Sequence, residues 1–432
     1  MSILFQNAKI ITTQGNHFKV LKNSYLGVDG KYIDYIGTEE PKKQYNETVD
    51  MYNKLLMPGL VNAHAHSAMN LLKGIGSDLP LQDWLNLIWP IEAKMRAEDF
   101  TVGMEMIVLE MLAGGTVSFS DMYMMPLLTH EVIGKSGIKA NLTRVVMGGD
   151  KDTDYESFPK RIEALQFHKD FDGAYEDRLH ADFSIHAEYT IDEGLALKWA
   201  EEIQKVGGRF HTHLSETKKE HMECIERKGM TPAAWYNKAG FFNLPSYCAH
   251  CVWVTDDDIE IFKEKGVTPV HCPSSNMKLG SGFAPVPKML DKGINVALGT
   301  DGSASNNNVD MFEEMHLASI IHNGYLCDPT LMKPAQVLKM ATHNGALGQG
   351  RPDTGSLEIG KKADIIALNL DAPHLVPDND TLALVTYSAQ ASDVCLTMVD
   401  GKILYKDGVF LTMDRDRIFH EFNKSHKYLK NL

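Results

Sequence analysis

Between Leu56 and Asp301, short apolar runs alternate eight times with longer helix-like stretches, and this rhythm constrains the fold more than any other feature. The runs are Leu56–His66, Thr116–Met122, Lys139–Val146, Leu179–Ala187, Arg209–Ser215, Ser246–Val252, Thr268–Ser275 and Asn295–Asp301. Segments such as Glu98–Gly115 and Glu193–Gly208 separate them and carry helical character. Eight β–α units over roughly 300 residues predict an α/β fold, a (β/α)8 barrel of the TIM type. A doubly wound open sheet is the alternative. If built to bind a nucleotide, it would need a Gly-rich turn after the first strand, where the chain instead offers Asn62-Ala63-His64-Ala65-His66.

The two ends of the chain follow a different pattern. Ile3–Thr13 and Ser24–Gly37, with a turn at Asp29-Gly30, read as short strands. So do Ala363–Asp371 and Val394–Leu411, with turns at Asp400-Gly401 and Asp407-Gly408. Residues 1–55 and 359–432 are expected to pair into one small β domain, interrupted by a barrel at 56–358. A polar helix is expected over Arg415–Leu432.

Composition narrows the function classes. Forty-three basic against 57 acidic side chains leave a formal charge of −14, a field that repels a phosphate backbone and argues against nucleic acid as a partner. No run of about 18 apolar residues is present, so no membrane span is expected, and the N-terminus lacks the features of a secretory leader. Six cysteines spread over 432 residues read as reduced thiols of a cytoplasmic protein. Cys248 and Cys251 form a C-x-x-C without a second pair, which favours two small buried residues over a zinc ribbon.

In a barrel, the residues at the C-terminal strand ends converge on one mouth. Here they are His64 and His66, Asp121, Arg144, His186, His213, His250, Asn276 and Asp301. His64 and His66 stand at i and i+2, so both imidazoles point to one face. In Phe210-His211-Thr212-His213, either histidine can be the ligand; His213 is preferred because it lies nearer the strand end. Glu216 follows three residues later and can shuttle a proton, or it can simply begin a solvated charge run. His250 alone reads more readily as a satisfied core histidine than as a ligand. Asp301 can ligate a metal, act as a base or cap the next helix. Histidine nitrogens with one carboxylate suit zinc or iron(II) and leave a position for water. The fourth strand ends in His186 and not in lysine, so a single metal is expected.

Taken in order, PGLVNAHAH, HTHLSET, AHC and LGTDGSASNN resemble the amidohydrolase superfamily, over essentially the whole chain. Within it the chain is similar to the branch of methylthioadenosine/S-adenosylhomocysteine deaminases and triazine chlorohydrolases. The resemblance implies His64, His66, His213 and Asp301 as ligands of one divalent metal, zinc first, with iron(II) or manganese as alternatives. It implies Glu216 and His250 as acid–base and orienting groups. Pro90-Ile91-Glu92, after Trp84 and Trp89, matches the element whose glutamate holds the ribose hydroxyls in adenosine-deaminating members. Leu142-Thr143-Arg144 matches the element whose arginine serves the 5′-substituent, and His186 matches a purine contact. One departure stands out: where members that hold a homocysteine carboxylate carry a second arginine, this chain has Lys160, with Arg161 beside it. Lysine offers a point charge without the bidentate fork.

The expected reaction is hydrolytic deamination of adenosine, 5′-deoxyadenosine, 5′-methylthioadenosine or S-adenosylhomocysteine. Water activated at the metal attacks C6, Glu216 protonates N1, and Asp301 passes the water proton towards the departing ammonia. Two rivals stand beside this reading: a hydrolase of a bare guanine, cytosine or triazine ring, and a metal-binding barrel without chemistry. Read without the resemblance, Glu92 is favoured as a surface partner of Lys94 or Arg96, Trp84 and Trp89 as helix core, and Arg144 as the partner of a structural acid. The apolar stretch Trp84–Ile91 suits a pocket wall or a homo-oligomer interface.

Overall fold

The computed structural model describes residues 2–15 and 17–431. Eight strands form one parallel sheet in sequential order, and we number them β1 to β8. They are β1 Leu60–Ala65, β2 Thr116–Tyr123, β3 Lys139–Val146, β4 Leu179–Ile185, β5 Phe210–Leu214, β6 Ser246–His250, β7 Thr268–His271 and β8 Ala297–Leu298. Every residue of these strands is buried, as parallel strands require when helices cover the outside and side chains fill the inside. The intervening helices include Ala97–Ala113, Pro126–Ser136, Pro159–Phe171, Glu193–Val206 and Met311–Tyr325. The barrel predicted from the rhythm of apolar runs is therefore present.

Of the strand boundaries that differ from the sequence expectation, two have a plain local reason. Leu56–His66 is two strands, not one. Lys54–Pro58 pairs parallel with Ser2–Gln14 and antiparallel with Ile365–Asn369, whereas β1 begins at Leu60. Gly59 is the joint: its N–H donates to Asp364 O at 3.0 Å, and a Cβ there would lie 2.3 Å from a Val117 methyl. At the other end, β7 stops at His271 because Pro273 opens a short helix, Pro273–Lys278. Asn276 therefore stands on that helix and not on a strand end.

Strand β8 is only two residues long, so side chains and loop amides finish the closure against β1. Asn62 Oδ1 accepts Thr300 N–H at 3.0 Å, Asn62 Nδ2 donates to Thr300 Oγ1 at 2.7 Å, and Asp301 N–H donates to His64 O at 2.9 Å. The barrel seam thus carries two of the candidate metal ligands.

Both chain ends build a second, nine-stranded sheet. Its hairpins are Ser2–Gln14 with His17–Asp29 and Val394–Val399 with Lys402–Lys406, and Lys54–Pro58 is paired on one side with the first hairpin and on the other with Ile365–Asn369. Ile3, Phe5, Ile10, Leu26, Leu56, Ile365 and Met398 form its separate core. The expected C-terminal helix runs Arg415–Lys430; Leu432 lies outside the described residues. Among the described residues, no helix is long and apolar enough to cross a membrane.

Candidate active site

The strand ends meet in a cavity of about 310 Å³. His66, His213, Glu216, His250 and Asp301 lie on one part of its wall, and Trp84, Trp89, Glu92, His186 and Lys160 on other parts. Backbone kinks aim several of these groups. Ser215, His250, Cys251 and Asp301 all take positive φ, between 48° and 73°, although none is glycine. Such conformations cost of order 1–3 kcal/mol each and persist only where neighbours fix them. Here Leu214 O and Ser215 O accept the amides of Cys251, Val252 and Trp253, which ties the β5 and β6 ends together.

Hydrogen bonding decides which imidazole nitrogens face inward. His66 Nδ1–H donates to Met122 O at 2.6 Å and His213 Nδ1–H to His186 O at 2.7 Å. His250 Nδ1–H donates to Asn276 Oδ1 at 2.9 Å. Each bond turns Nε2 inward, where the neutral ring presents a lone pair, the arrangement by which outer partners orient metal-binding histidines. The inward atoms converge: His66 Nε2 is 3.1 Å from Asp301 Oδ1 and 3.2 Å from His213 Nε2, and His64 Nε2 is 3.4 Å from the same carboxylate oxygen. His64, His213, His250 and Asp301 offer ligand atoms that all lie within 4.8 Å of one another. His64 Nε2 is buried and makes no hydrogen bond among the described residues. A buried nitrogen without a proton partner, three further imidazoles and one carboxylate fit a divalent cation of the zinc or iron type.

Electrostatics fit the same occupant. Burial pushes His64 down to about 3 and His213 well below the usual imidazole range, so both are neutral and ready to ligate. Burial also works against charge on His66, but Asp301 overrides it and holds that imidazole up at about 9, so without a cation the ring is protonated and ligation through Nε2 would release that proton. Burial likewise opposes ionisation of Asp301, yet His64 and His66 hold its carboxyl well below the usual range. Ser275 Oγ at 2.6 Å and Ser305 Oγ at 2.7 Å both donate to Asp301 Oδ2, leaving Oδ1 to face the histidines. Asp301 is therefore not a helix cap; the next helix is capped by Asp310. Ser275 sits on the short helix after β7 and Ser305 in the turn after β8, and neither carries a sequence signal of its own.

Glu216 is buried in the cavity wall, 3.8 Å from His250 Nε2. Burial, reinforced by Asp301, pushes its carboxyl up to about 8, so it carries a proton at neutral pH. It is not part of a solvated charge run. One further expectation of a surface role also yields. Glu92 is 5% exposed and accepts Tyr123 O–H at 2.6 Å, while Arg96 pairs with Asp99. Burial raises Glu92 to about 7. Tyr123 had no sequence signal beyond its place at the end of β2. Trp84 and Trp89 line the cavity, and the Trp89 ring meets His186 edge-on at 6.0 Å. Cys248 and Cys251 are buried free thiols, outside the metal cluster.

The basic residues separate. Lys160 lines the cavity, and its Nζ donates to Met147 O at 2.8 Å. Arg161 is held away by Glu202 at 2.5 Å. Arg144 is absent from the cavity wall. Its Nε donates to Glu163 Oε2 at 2.5 Å, and the pair lines a neighbouring pocket that shares only Met124 with the cavity.

Residues 55–404 match the amidohydrolase family. The chain belongs to the amidohydrolase family. It is 42% identical over 424 residues to the 5-methylthioadenosine/S-adenosylhomocysteine deaminase of Acetivibrio thermocellus, with 97% of each chain covered. It is 40% identical over 428 residues to the 5′-deoxyadenosine deaminase of Methanosarcina mazei, covering 99% of this chain and 98% of the relative. An adenosine deaminase from Xanthomonas campestris, solved with bound zinc, superposes with a TM-score of 0.93 at 29% identity, covering 100% of this chain and 99% of that one. As an amidohydrolase the chain is a hydrolytic enzyme, and its histidine–aspartate cluster suits one divalent cation.

Proposed function

We propose that this amidohydrolase is a zinc-dependent deaminase of adenosine-type nucleosides, with His64, His66, His213 and Asp301 as the metal ligands. One observation carries the reading. A buried, protonated Glu216 and the buried carboxyl group of Glu92 share one cavity with the histidine–aspartate cluster. A ribose offers two adjacent hydroxyl donors to the Glu92 carboxylate, beyond the ring that the cluster and Glu216 would engage.

When bound, the cation supplies Lewis acidity and brings the pKa of water towards neutrality, about 7 in good cases. The remaining work falls to the chain. Glu216 donates its proton to N1 of the purine and so offsets charge building on the ring. Asp301 Oδ1 accepts one proton from the attacking water and returns it to the amine that leaves as ammonia, and the second water proton, released as the C6 carbonyl forms, restores Glu216. His250, fixed by Asn276, presents Nε2 beside Glu216 and orients that water. His186 and Trp84 hold the purine, and Glu92 holds the ribose. Remote contacts of this kind orient the reacting carbon.

At the 5′ end the reading favours small neutral substituents, as in 5′-deoxyadenosine and 5′-methylthioadenosine, over a homocysteine carboxylate. Lys160 is the cation in the cavity wall, and burial followed by the nearby Arg144 lowers its pKa. Arg144 must leave Glu163 before it can serve any ligand. The test is ammonia release by the zinc-loaded protein from adenosine, 5′-deoxyadenosine, 5′-methylthioadenosine, S-adenosylhomocysteine, guanine and cytosine. Turnover of the nucleosides, with S-adenosylhomocysteine slowest, is expected. Turnover of a bare ring alone overturns the nucleoside reading, and silence on all six overturns the deaminase reading.

A further inference from the structure

His211 stands one step below the metal cluster and has no part in the reaction above. It is fully buried, and its Nε2 lies 2.9 Å from His64 Nδ1. The other inward histidines each have Nδ1 held by an oxygen: Met122 O, His186 O or Asn276 Oδ1. His64 alone has a second imidazole there. Between two nitrogens the proton can sit on either side, so this contact does not by itself choose a tautomer. The ligand role proposed for His64 chooses it. If His64 is to ligate, its Nε2 must present a lone pair, which puts its proton on Nδ1. His211 Nε2 must then accept, which puts the His211 proton on its own Nδ1. That atom is buried without a hydrogen-bond partner among the described residues. The opposite arrangement would turn His211 Nε2–H towards His64 and place a proton on the inward His64 Nε2, aimed at the cluster.

We infer that His211 is a positioning residue that holds the ring orientation of His64 through an imidazole–imidazole hydrogen bond and accepts its Nδ1–H when Nε2 ligates, in the place where the other histidines use an oxygen. The inference rests on the ligand role proposed for His64. His211 cannot serve as the alternative ligand while this bond stands, because its Nε2 is occupied by His64 and its Nδ1 faces away from it.

The experiment measures zinc affinity of the full-length protein by chelator competition, beside the melting temperature of the metal-free protein. His211→Gln places an amide oxygen near the position of Nε2 and keeps an acceptor for His64. His211→Phe keeps a ring and removes the acceptor. Outer partners of ligating histidines are worth 10–100-fold in metal affinity. His211→Phe is therefore expected to bind zinc 10–100-fold more weakly, and His211→Gln within about threefold of the parent, on that same scale. Zinc binding by His211→Phe as tight as the parent's overturns the inference, and so does equal weakening in both variants, which would mark packing as the cause. His64→Ala separates the two levels. If it binds zinc normally, the metal-site reading itself has failed; if it loses zinc while His211→Phe does not, only the role of His211 has. Should His211→Phe not fold, nitrogen-15 histidine spectra of the zinc-loaded parent decide: a proton on His64 Nδ1 coupled to His211 Nε2 supports the inference, and its absence overturns it.

Discussion

Glu216 and Glu92 are both carboxyl groups raised by burial, yet they are asked to do different work, and substitution separates them. Glu216→Gln keeps shape and hydrogen-bonding capacity but cannot deliver a proton. General acid–base groups are worth about 10²–10⁴-fold. Turnover by Glu216→Gln is expected to fall by that factor at unchanged zinc content, measured by metal analysis beside steady-state rates. The pH dependence follows from the raised pKa. Glu216 is the working acid only while protonated, so kcat/KM falls as pH rises through the carboxyl's pKa. That value is about 8 in the metal-free protein, and a cation in the cluster draws it lower. The alkaline limb should therefore lie at or below about pH 8 and vanish in Glu216→Gln. A parent profile that stays level to pH 9.5 would count against Glu216 as the acid. Glu92→Ala removes a charged hydrogen-bond acceptor, worth about 1.5–3 kcal/mol, or roughly 10–150-fold in kcat/KM for a nucleoside. Unchanged nucleoside kinetics in that variant would return the cavity to a bare-ring substrate.

At the scale of elements, the barrel was legible because parallel strands buried on both faces must be short apolar runs separated by helices. Most of the candidate site was legible for a related reason: strand ends converge, so His64, His66, His213, His250 and Asp301 announced themselves by position. What could not be read was reach. Arg144 ends a strand as the others do, yet Glu163, nineteen residues on, takes its guanidinium. Ser275, Ser305 and Tyr123 are common residue types whose roles exist only once distant turns meet at Asp301 and Glu92. The seam between β8 and β1 was equally hidden, since β8 is too short to pair there. Gly299 makes that seam possible. A Cβ at this position would lie 2.8 Å from the His64 amide nitrogen and 2.9 Å from His64 Cβ. Backbone cannot yield as a side-chain tip can. Gly299→Ala is expected to destabilise the fold by about 1–3 kcal/mol, as overpacking does, and to displace His64. Urea midpoints and zinc affinity should fall together; a variant with normal zinc affinity would show that the seam and the ligand are uncoupled.

Across the whole molecule, the sheet built from the chain ends is fastened to the barrel by a charge buried at the far end of the strands from the catalytic mouth. Lys139 opens β3 and is completely buried, with Nζ 2.5 Å from Asp364 Oδ2 and 2.6 Å from Asp400 Oδ1. Asp364 directly precedes the strand Ile365–Asn369, and Asp400 lies in the hairpin turn after Val394–Val399. Asp364 also accepts the Asp400 amide at 2.9 Å, so one lysine gathers two turns of the outer sheet onto one barrel strand. Desolvating three charges makes such a cluster a poor source of net stability, but removing a single member leaves the others buried and unpaired. Lys139→Met should therefore cost about 3–5 kcal/mol in urea unfolding, whereas Lys139→Met combined with Asp364→Asn and Asp400→Asn should recover a large part of that loss. The residues of the mouth take no part in this contact. If the cluster only fastens the two bodies, the folded fraction of Lys139→Met keeps parent KM and zinc affinity while its unfolding midpoint drops. A change in KM at full folding would instead mean that the outer sheet sets the geometry of the mouth through the length of β3, which ends beside Arg144 and the cavity residues Val145 and Met147.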